Sequence, residues 1–466
     1  MTTHPSALPV APGAELELTV DRLAYGGPGV GRVEGLVVLV EGALPGQRLR
    51  VRVIRRHRRH VEARVLAVLA ESPHFTPPFC RHFGVCGGCR WQHLAYPEQV
   101  GWKGRHLEEC LAHLGKVAPR EFLPPVPSPR RIHYRNKMTF TFAPGPGKSG
   151  LRLGLHCWED PGEVFDLEEC HLLGPQTGAL VREVRGFCRR LGLAAYEPRR
   201  RRGFWHSLML REGKRTGQLM VHLLTAGREA PPAVEALAGY LQERFPELTT
   251  LTHAHLSDRS GGPRAPRLRT LSGPGHLEEE LAGVRLRVSP DSFLQPNTEA
   301  AELLYEAIGR HGDLSGREVA WDLYCGAGGI ALTVAPAAAR VVGFELSSQA
   351  VADARVNARL NRRENCLFLA GDLAAALRQA LADPSLPRPE VIIADPPRAG
   401  LHPAVVAALK ELAPRRLLLV SCHPATLARD LALLKDAFEV LSAQAFDFFP
   451  HTPHLEALAV LARRGG

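Results

Sequence analysis

The stretch Val319-Ala320-Trp321-Asp322-Leu323-Tyr324-Cys325-Gly326-Ala327-Gly328-Gly329-Ile330 limits the fold of this chain more than any other. A short apolar strand turns on three glycines and continues as an apolar helical pattern. That is the opening β–turn–α step of a Rossmann-like unit, in which glycines let a ligand approach backbone and helix amides. A second strand, residues 340–345, ends in Glu345, an acid suited to ribose hydroxyls. The glycines read G-x-G-G rather than G-x-G-x-x-G, so by themselves they are equally consistent with plain turn punctuation. The strand ends that follow decide between the two.

From residue 284 onward, strands alternate with helices, which predicts a parallel sheet. Ser292-Phe293-Leu294-Gln295-Pro296-Asn297 leads into a helix from Thr298 and then into the glycine turn. The strand from Cys366 ends in Gly371-Asp372, and the strand from Val391 ends in Asp395-Pro396-Pro397-Arg398. The strand from Arg416 ends in Ser421-Cys422-His423-Pro424. Ligands of open α/β sheets sit beyond the carboxyl ends of strands. Four successive strand ends bearing polar or reactive groups exceed what packing requires. A cysteine after a buried strand is usually inert packing. Pro424, however, stops the strand and would present the Cys422 thiol at the rim, where Arg398 or a helix N-terminus would favour its thiolate. Near the end, Phe448-Phe449-Pro450-His451-Thr452-Pro453-His454-Leu455-Glu456 sets one carboxylate among aromatics and prolines, an environment that tunes a proton acceptor.

The N-terminal half carries different chemistry. Residues 11–70 read as short strands broken by glycines, and Arg48, Arg50 and Arg52 alternate with apolar residues, ahead of Arg55, Arg56, Arg58 and Arg59. This predicts a small β-barrel with an arginine face suited to an RNA backbone; the alternative is an edge strand charged against aggregation. In residues 71–115, Cys80, Cys86 and Cys89 stand at C-x5-C-x2-C, and Cys110 and Cys170 are both candidates for a fourth ligand. Such spacing suits structural zinc or an iron–sulfur cluster alike. A proline-rich linker, Pro124 to Pro129, opens an α+β central region assigned to residues 116–285, and residues 286–466 form the last domain. Residues Met1 to Pro12 are expected to be a loose tail, and Pro263 to Arg267 a loop. No apolar run approaches the ~18 residues of a membrane span. Without a basic-then-apolar leader, a cytoplasmic location is expected, where ten cysteines imply metal or catalysis rather than disulfides. The net charge of +10 suits a polyanionic partner.

Five ordered motifs resemble those of the RNA uracil-C5 methyltransferases that use S-adenosylmethionine. They are Gln295 within Ser-Phe-Leu-Gln-Pro-Asn, Asp322-Leu323-Tyr324-Cys325-Gly326, Asp395-Pro396-Pro397-Arg398-Ala399-Gly400, Ser421-Cys422-x-Pro424-Ala425-Thr426, and Phe449-Pro450-His451-Thr452-x-His454-Leu455-Glu456. The resemblance implies an α/β, Rossmann-like methyltransferase domain, an N-terminal OB-like barrel of the TRAM type, and an α+β central domain. It implies that Gln295, Tyr324, Glu345 and Asp395 hold S-adenosylmethionine against the Gly326–Gly329 loop, and Asp372 joins this set as a further candidate. It makes Cys422 the nucleophile and Glu456 the base, and Cys80, Cys86, Cys89 and Cys170 the ligands of a [4Fe–4S] cluster. Two positions depart from the pattern. His423 stands where asparagine is common, and Gly329 replaces a polar residue of some tRNA-acting members.

In that chemistry a thiolate adds to C6 of uracil, C5 becomes nucleophilic and takes the methyl group, and a base then removes the C5 proton. The expected substrate is a uridine of 23S ribosomal RNA, acted on by a monomer. Weighed against it are the tRNA T-loop uridine, a cytosine-C5 enzyme, a nicotinamide dehydrogenase and a non-catalytic RNA-binding protein. The dehydrogenase leaves Cys422 and Glu456 unexplained, and nothing identifies a group for cytosine N3 and N4.

Overall fold

Four β-structures position everything else in the computed structural model, which describes residues 10–147, 150–256 and 267–465. The tail over residues 1–9, Lys148 of the expected turn and the loop over residues 263–266 lie outside the described residues. The first structure is a closed barrel of β1 (Glu15–Leu23), β2 (Gly29–Val33), β3 (Leu36–Val40), β4 (Arg48–Arg56) and β5 (His60–Ala70), in the order β1-β2-β3-β5-β4. Alternate residues, among them Leu18, Val20, Val38, Leu49, Val51 and Val61, fill its interior. Closure removes the edge that the anti-aggregation reading of the arginines required. The outward face is nevertheless mixed in charge. Pairing sets Glu17 opposite Arg50 and Glu15 opposite Arg52, and the latter two form an ion pair at 2.7 Å. The exposed positive charge therefore concentrates at Arg55, Arg58 and Arg59, around the β4–β5 turn.

The barrel rests on the cysteine-bearing segment and helix α1 (Tyr96–Glu109). Leu23 and Leu44 of the barrel pack with Trp91, Leu94 and Trp102. The Trp91 indole donates to the Gly27 carbonyl at 3.4 Å, and the His106 Nε2 lies 3.1 Å from the Leu23 carbonyl. Next comes β6 (Glu121–Phe122), which joins the far edge of the C-terminal sheet rather than the central one. The central sheet contains β7 (Lys137–Pro144), β8 (Leu151–Gly154), β9 (Trp205–Glu212), β10 (Leu219–Ala226), β11 (Leu248–Leu256) and β12 (Arg267–Ser272), ordered β12-β11-β10-β9-β7-β8. Helices α2 (Thr177–Leu191) and α3 (Pro231–Arg244) cover one face of it through Leu180, Val184, Leu237 and Leu241.

A hairpin of β13 (Leu277–Leu281) and β14 (Val284–Val288) precedes the C-terminal sheet. The boundary expected at 285/286 falls inside β14. Leu281, Val284, Leu286 and Val288 share one hydrophobic core with residues of α4 (Thr298–Gly312), so the hairpin goes with the C-terminal domain. The sheet then runs through β15 (Val319–Leu323), α5 (Gly329–Val334), β16 (Arg340–Glu345), α6 (Ser348–Leu360), β17 (Cys366–Ala370), α7 (Leu373–Ala382), β18 (Val391–Ala394), α8 (Pro403–Leu412), β19 (Arg416–Ser421), α9 (Pro424–Leu434), β20 (Phe438–Phe446) and β21 (Glu456–Arg463). Strand order is β17-β16-β15-β18-β19-β21-β20-β6. Buried Trp321, Phe344 and Phe368 fill the layers beside the first strands, worth about 1.5–3 kcal/mol each against exposure.

The expectation of a parallel sheet holds for β15 to β19 and is corrected at its end. β21 pairs antiparallel with both β19 and β20. The short 447–455 loop between β20 and β21 leaves no room for a helical crossover, so the chain must turn back on itself. No helix among the described residues is long and apolar enough to cross a membrane.

Candidate active site

Strand order reverses between β15 and β18, and a cavity of about 950 Å³ opens beyond the carboxyl ends of the strands at that point. Gln295, Tyr324, Gly326, Gly329, Glu345, Asp372, Asp395, Cys422 and Glu456 all line it. The register explains the convergence. Leu323 pairs with Phe344 on one side and Ala394 on the other, so Tyr324, Glu345 and Asp395 leave adjacent strands at one level. On the antiparallel side Ser421 pairs with Ala457, so the next residue of β19's chain, Cys422, faces the residue before Ala457, which is Glu456. The strand reversal at the end of the sheet thus brings thiol and carboxylate together.

The backbone around the glycines is shaped for close approach. Tyr324 has φ +66°, an uncommon left-handed conformation for a non-glycine residue, and Gly326 follows at φ +54° with no atom within 4 Å of where a Cβ would stand. Glu345 is held by two amides, Gly326 N–H at 3.1 Å and Ser347 N–H at 2.8 Å, one on each carboxylate oxygen. Asp372 accepts the Ala375 N–H at 3.0 Å through Oδ1 and caps α7. At Gly329 a Cβ would stand 2.9 Å from the Tyr305 hydroxyl, so the buried tyrosine occupies the space that a polar side chain would need. Two lining residues that the sequence patterns did not single out are Leu346, 73% exposed, and Phe293, 63% exposed. Large apolar side chains left open beside acids suit a flat heterocycle attached to a polar, cationic group. The cavity therefore fits S-adenosylmethionine by size, by its apolar walls and by its carboxylates.

The reacting end is acidic and partly enclosed. Gln295 Nε2 donates to Asp395 Oδ2 at 2.7 Å. Burial pushes the Asp395 carboxyl up to about 6, against the opposing effect of that hydrogen bond. Glu456 is 3% exposed, its Oε1 has no hydrogen-bond partner, and burial together with Asp395 raises its carboxyl well above the usual range. Cys422 is also pushed up, to about 11, first by burial and then by Glu456 and Asp395, while Arg398 acts in the lowering direction and is outweighed. The expectation that Arg398 or the helix would favour the thiolate is corrected to that extent: the resting group is a thiol. His423, next along, caps α9 by accepting the Thr426 N–H at Nδ1, 3.2 Å away, so it performs the capping task an asparagine would.

The loop that delivers Glu456 is tied down from several directions. Buried Lys103 of α1 pairs with Asp447 and donates to the Phe449 carbonyl at 2.9 Å. Asn297 donates to the Phe448 carbonyl at 3.2 Å, and Gln99 accepts the His451 N–H at 2.7 Å. No sequence pattern marks Lys103, because a lysine on a helix ordinarily faces water.

The cysteines form a second centre. Cys80, Cys86, Cys89 and Cys170 line one small cavity with Phe79, His82 and His171. Burial raises all four thiols, Cys89 to about 12 and Cys170 to about 11; neighbouring cysteines add to it at Cys86, Cys89 and Cys170, and Glu169 does so at Cys80. Four half-buried thiols around one cavity hold thiolates only if a cation compensates them, so the donor set fits a four-thiolate metal or iron–sulfur centre. Cys110 lies elsewhere, buried against Leu107 and Leu111, and is not part of the set.

Comparison with known proteins agrees with this geometry. Residues 279–464 match the family described as tRNA (Uracil-5-)-methyltransferase, and residues 9–66 match the TRAM domain. An uncharacterized RNA methyltransferase of Nitratidesulfovibrio vulgaris is 41% identical over 97% of this chain and 97% of its own length. Another, from Porphyromonas gingivalis, is 35% identical over 96% of this chain and 99% of its own. The solved structure of Pyrococcus abyssi tRNA (uracil-54, C5)-methyltransferase with S-adenosyl-L-homocysteine superposes with a TM-score of 0.74 at 25% identity, covering 96% of this chain and 100% of that one.

Proposed function

The chain belongs to the S-adenosylmethionine-dependent RNA methyltransferases of the uracil-5 family that carry a TRAM domain, and we propose that it methylates C5 of a uridine in 23S ribosomal RNA through a covalent bond from Cys422. The observation that carries the mechanism is the Cys422–Glu456 juxtaposition across the β19–β21 pair, at the mouth of the cavity lined by the cofactor candidates.

S-adenosylmethionine, when bound, supplies an electrophilic methyl group on a sulfonium. The chain's own residues do the remainder. Gln295, Tyr324, Glu345, Asp372 and Asp395 bind and orient the cofactor, with Gly326 and Gly329 admitting it to the backbone. Cys422 Sγ loses its proton to solvent and bonds to C6 of a uracil turned out of its stack, and the C5=C6 electrons shift towards O4, which makes C5 a nucleophile. After methyl transfer, the C5 proton passes to the Glu456 carboxylate, C5=C6 re-forms, and the Cys422 Sγ–C6 bond breaks. Asp395, fixed by Gln295, keeps a second carboxylate beside Glu456, so that the pair can share one proton. Cys80, Cys86, Cys89 and Cys170 are proposed to hold a [4Fe–4S] cluster in a structural role, since methyl transfer moves no net electrons.

Ribosomal RNA is preferred as substrate because the barrel offers a second, phosphate-directed contact away from the reacting base, useful on a long folded RNA. A tRNA T-loop uridine is the second reading, favoured by the likeness to the Pyrococcus abyssi enzyme. Incubation with labelled S-adenosylmethionine and total RNA, followed by nucleoside analysis and mapping of 5-methyluridine, tests both. Label in tRNA with ribosomal RNA unlabelled would overturn the preference, and label in 5-methylcytidine would overturn the base.

A further inference from the structure

Beyond Cys422 a groove of about 560 Å³ runs away from the cofactor cavity, along the cysteine segment and over β7. Its inner end holds Cys422, Phe449 and His454, and its outer end Arg90, His156 and Trp158. The walls are cationic and aromatic together. The Arg90 guanidinium lies 5.6 Å over the Trp158 ring, and that of Arg135 lies 5.9 Å over Phe449. Arg398 adds a third positive charge at the same wall.

Trp158 stands where three parts of the chain meet. Its backbone N–H donates to the Val85 carbonyl at 2.8 Å, its ring meets Phe83 edge-on at 6.1 Å, and its tip lies 3.7 Å from where a Cβ on Gly42 of the barrel would be. Arg90, in turn, is bridged to Glu41 of the barrel at 3.3 Å. Cys86 and Cys157 face each other on paired backbone, so the thiol-bearing loop is itself the wall that holds Trp158 in place.

We propose that this groove binds the unpaired nucleotides flanking the target uridine, with Trp158 as the platform on which a neighbouring base stacks and Arg90 and Arg135 as phosphate contacts. A single strand with splayed bases is what alternating guanidinium groups and flat rings accommodate, and every base offers a face to stack. Trp158 is thus a positioning residue: it holds the RNA strand while the uridine reaches Cys422. The four-thiol centre then acts on RNA binding, by shaping the groove wall, rather than on the methyl transfer itself. This inference rests on Cys422 marking the reacting end.

The test uses the full chain and a short single-stranded oligouridylate bearing one 2-aminopurine. Binding to the native protein should quench the 2-aminopurine. Trp158→Ala should lose the quench and bind about tenfold more weakly, as expected when one base no longer stacks. Methylation of RNA should show KM raised by a similar factor, with kcat and S-adenosylhomocysteine affinity unchanged. Trp158→Phe should recover most of the affinity. Trp158→Leu, which keeps apolar bulk against Gly42 and Phe83, should behave like the alanine variant if stacking is what matters. Native-like binding and quenching in both Trp158→Ala and Trp158→Leu would overturn the proposal, as would absence of any quench in the native protein. If the oligonucleotide binds as expected but no RNA receives label, the uridine reading fails while the groove stands.

Discussion

At the scale of single residues, Cys422 meets its surroundings as a thiol, and that sets a pH signature. With its acid dissociation pushed up to about 11, alkylation by iodoacetamide in the ligand-free protein should be slow at neutral pH and climb towards that value. Arg398→Ala removes a positive charge that acts downward, so the alkylation midpoint should move higher still. A midpoint near the ordinary thiol value of ~8.5 would contradict this. Cys422→Ala should cut methyl transfer by on the order of 10⁴-fold while S-adenosylhomocysteine still binds, and residual turnover near the native rate would remove the nucleophile assignment. Glu456→Gln should instead trap RNA as a covalent adduct visible on a denaturing gel. The same substitution carries a stability consequence. Glu456 is raised in the folded state, so folding retains a proton that the unfolded chain releases above its ordinary pKa. Stability from this group is full at low pH and declines as pH rises from the ordinary value towards the folded one. The glutamine variant should therefore gain melting temperature over native protein at pH 8 and show no gain at pH 4.

At the scale of elements, two devices place the chemistry. The first is the grip of α1 on the loop between β20 and β21. Lys103 and Asp447 are both buried, so Lys103→Met leaves a lone carboxylate in the interior, at a cost of about 3–5 kcal/mol measured by denaturant unfolding. The second is the cysteine loop. Cys170→Ser should abolish the colour and bound metal of anaerobically purified protein, whereas Cys110→Ser, which alters only core packing, should keep both. One zinc and no iron by elemental analysis would retain the four-thiol site and reject the cluster.

At the scale of the whole molecule, the barrel is an integral part of the scaffold. Its Leu23 and Leu44 complete a core with Trp91 and Trp102, and Tyr25 in the β1–β2 turn sets its ring edge-on to His423 at 5.4 Å, beside Cys422. Deleting residues 1–70 would expose that core, so the RNA role of the barrel is better tested by charge. Replacing Arg55, Arg58 and Arg59 with alanine should weaken RNA binding and flatten its salt dependence. The logarithmic slope should fall by about 0.9 for each duplex phosphate that these arginines cease to neutralise. An unchanged slope would place the RNA-binding charge elsewhere.

Much of this molecule is determined by local pattern. Glycine turns, apolar strands of limited length and polar residues at strand ends specify the Rossmann-like unit, because each depends on residues adjacent in the chain. The motif residues Tyr324, Glu345, Asp372 and Asp395 meet in one cavity for the same reason, since parallel strands in register deliver their ends to one side, whereas Gln295 comes from the loop before α4 and reaches them through its hydrogen bond to Asp395. Other features depend on partners far apart in sequence. Cys422 and Glu456 face each other only because β21 runs antiparallel to β19, and no residue in either strand announces that direction. Cys170 rather than Cys110 joins the other thiols because the central sheet folds back over the cysteine loop. Lys103 is buried because its counter-charge, Asp447, arrives from the end of the chain. Burial and electrostatics are properties of the assembled surroundings, so only the tertiary structure decides the protonated state of Cys422, the capture of Lys103 and the groove beneath Trp158.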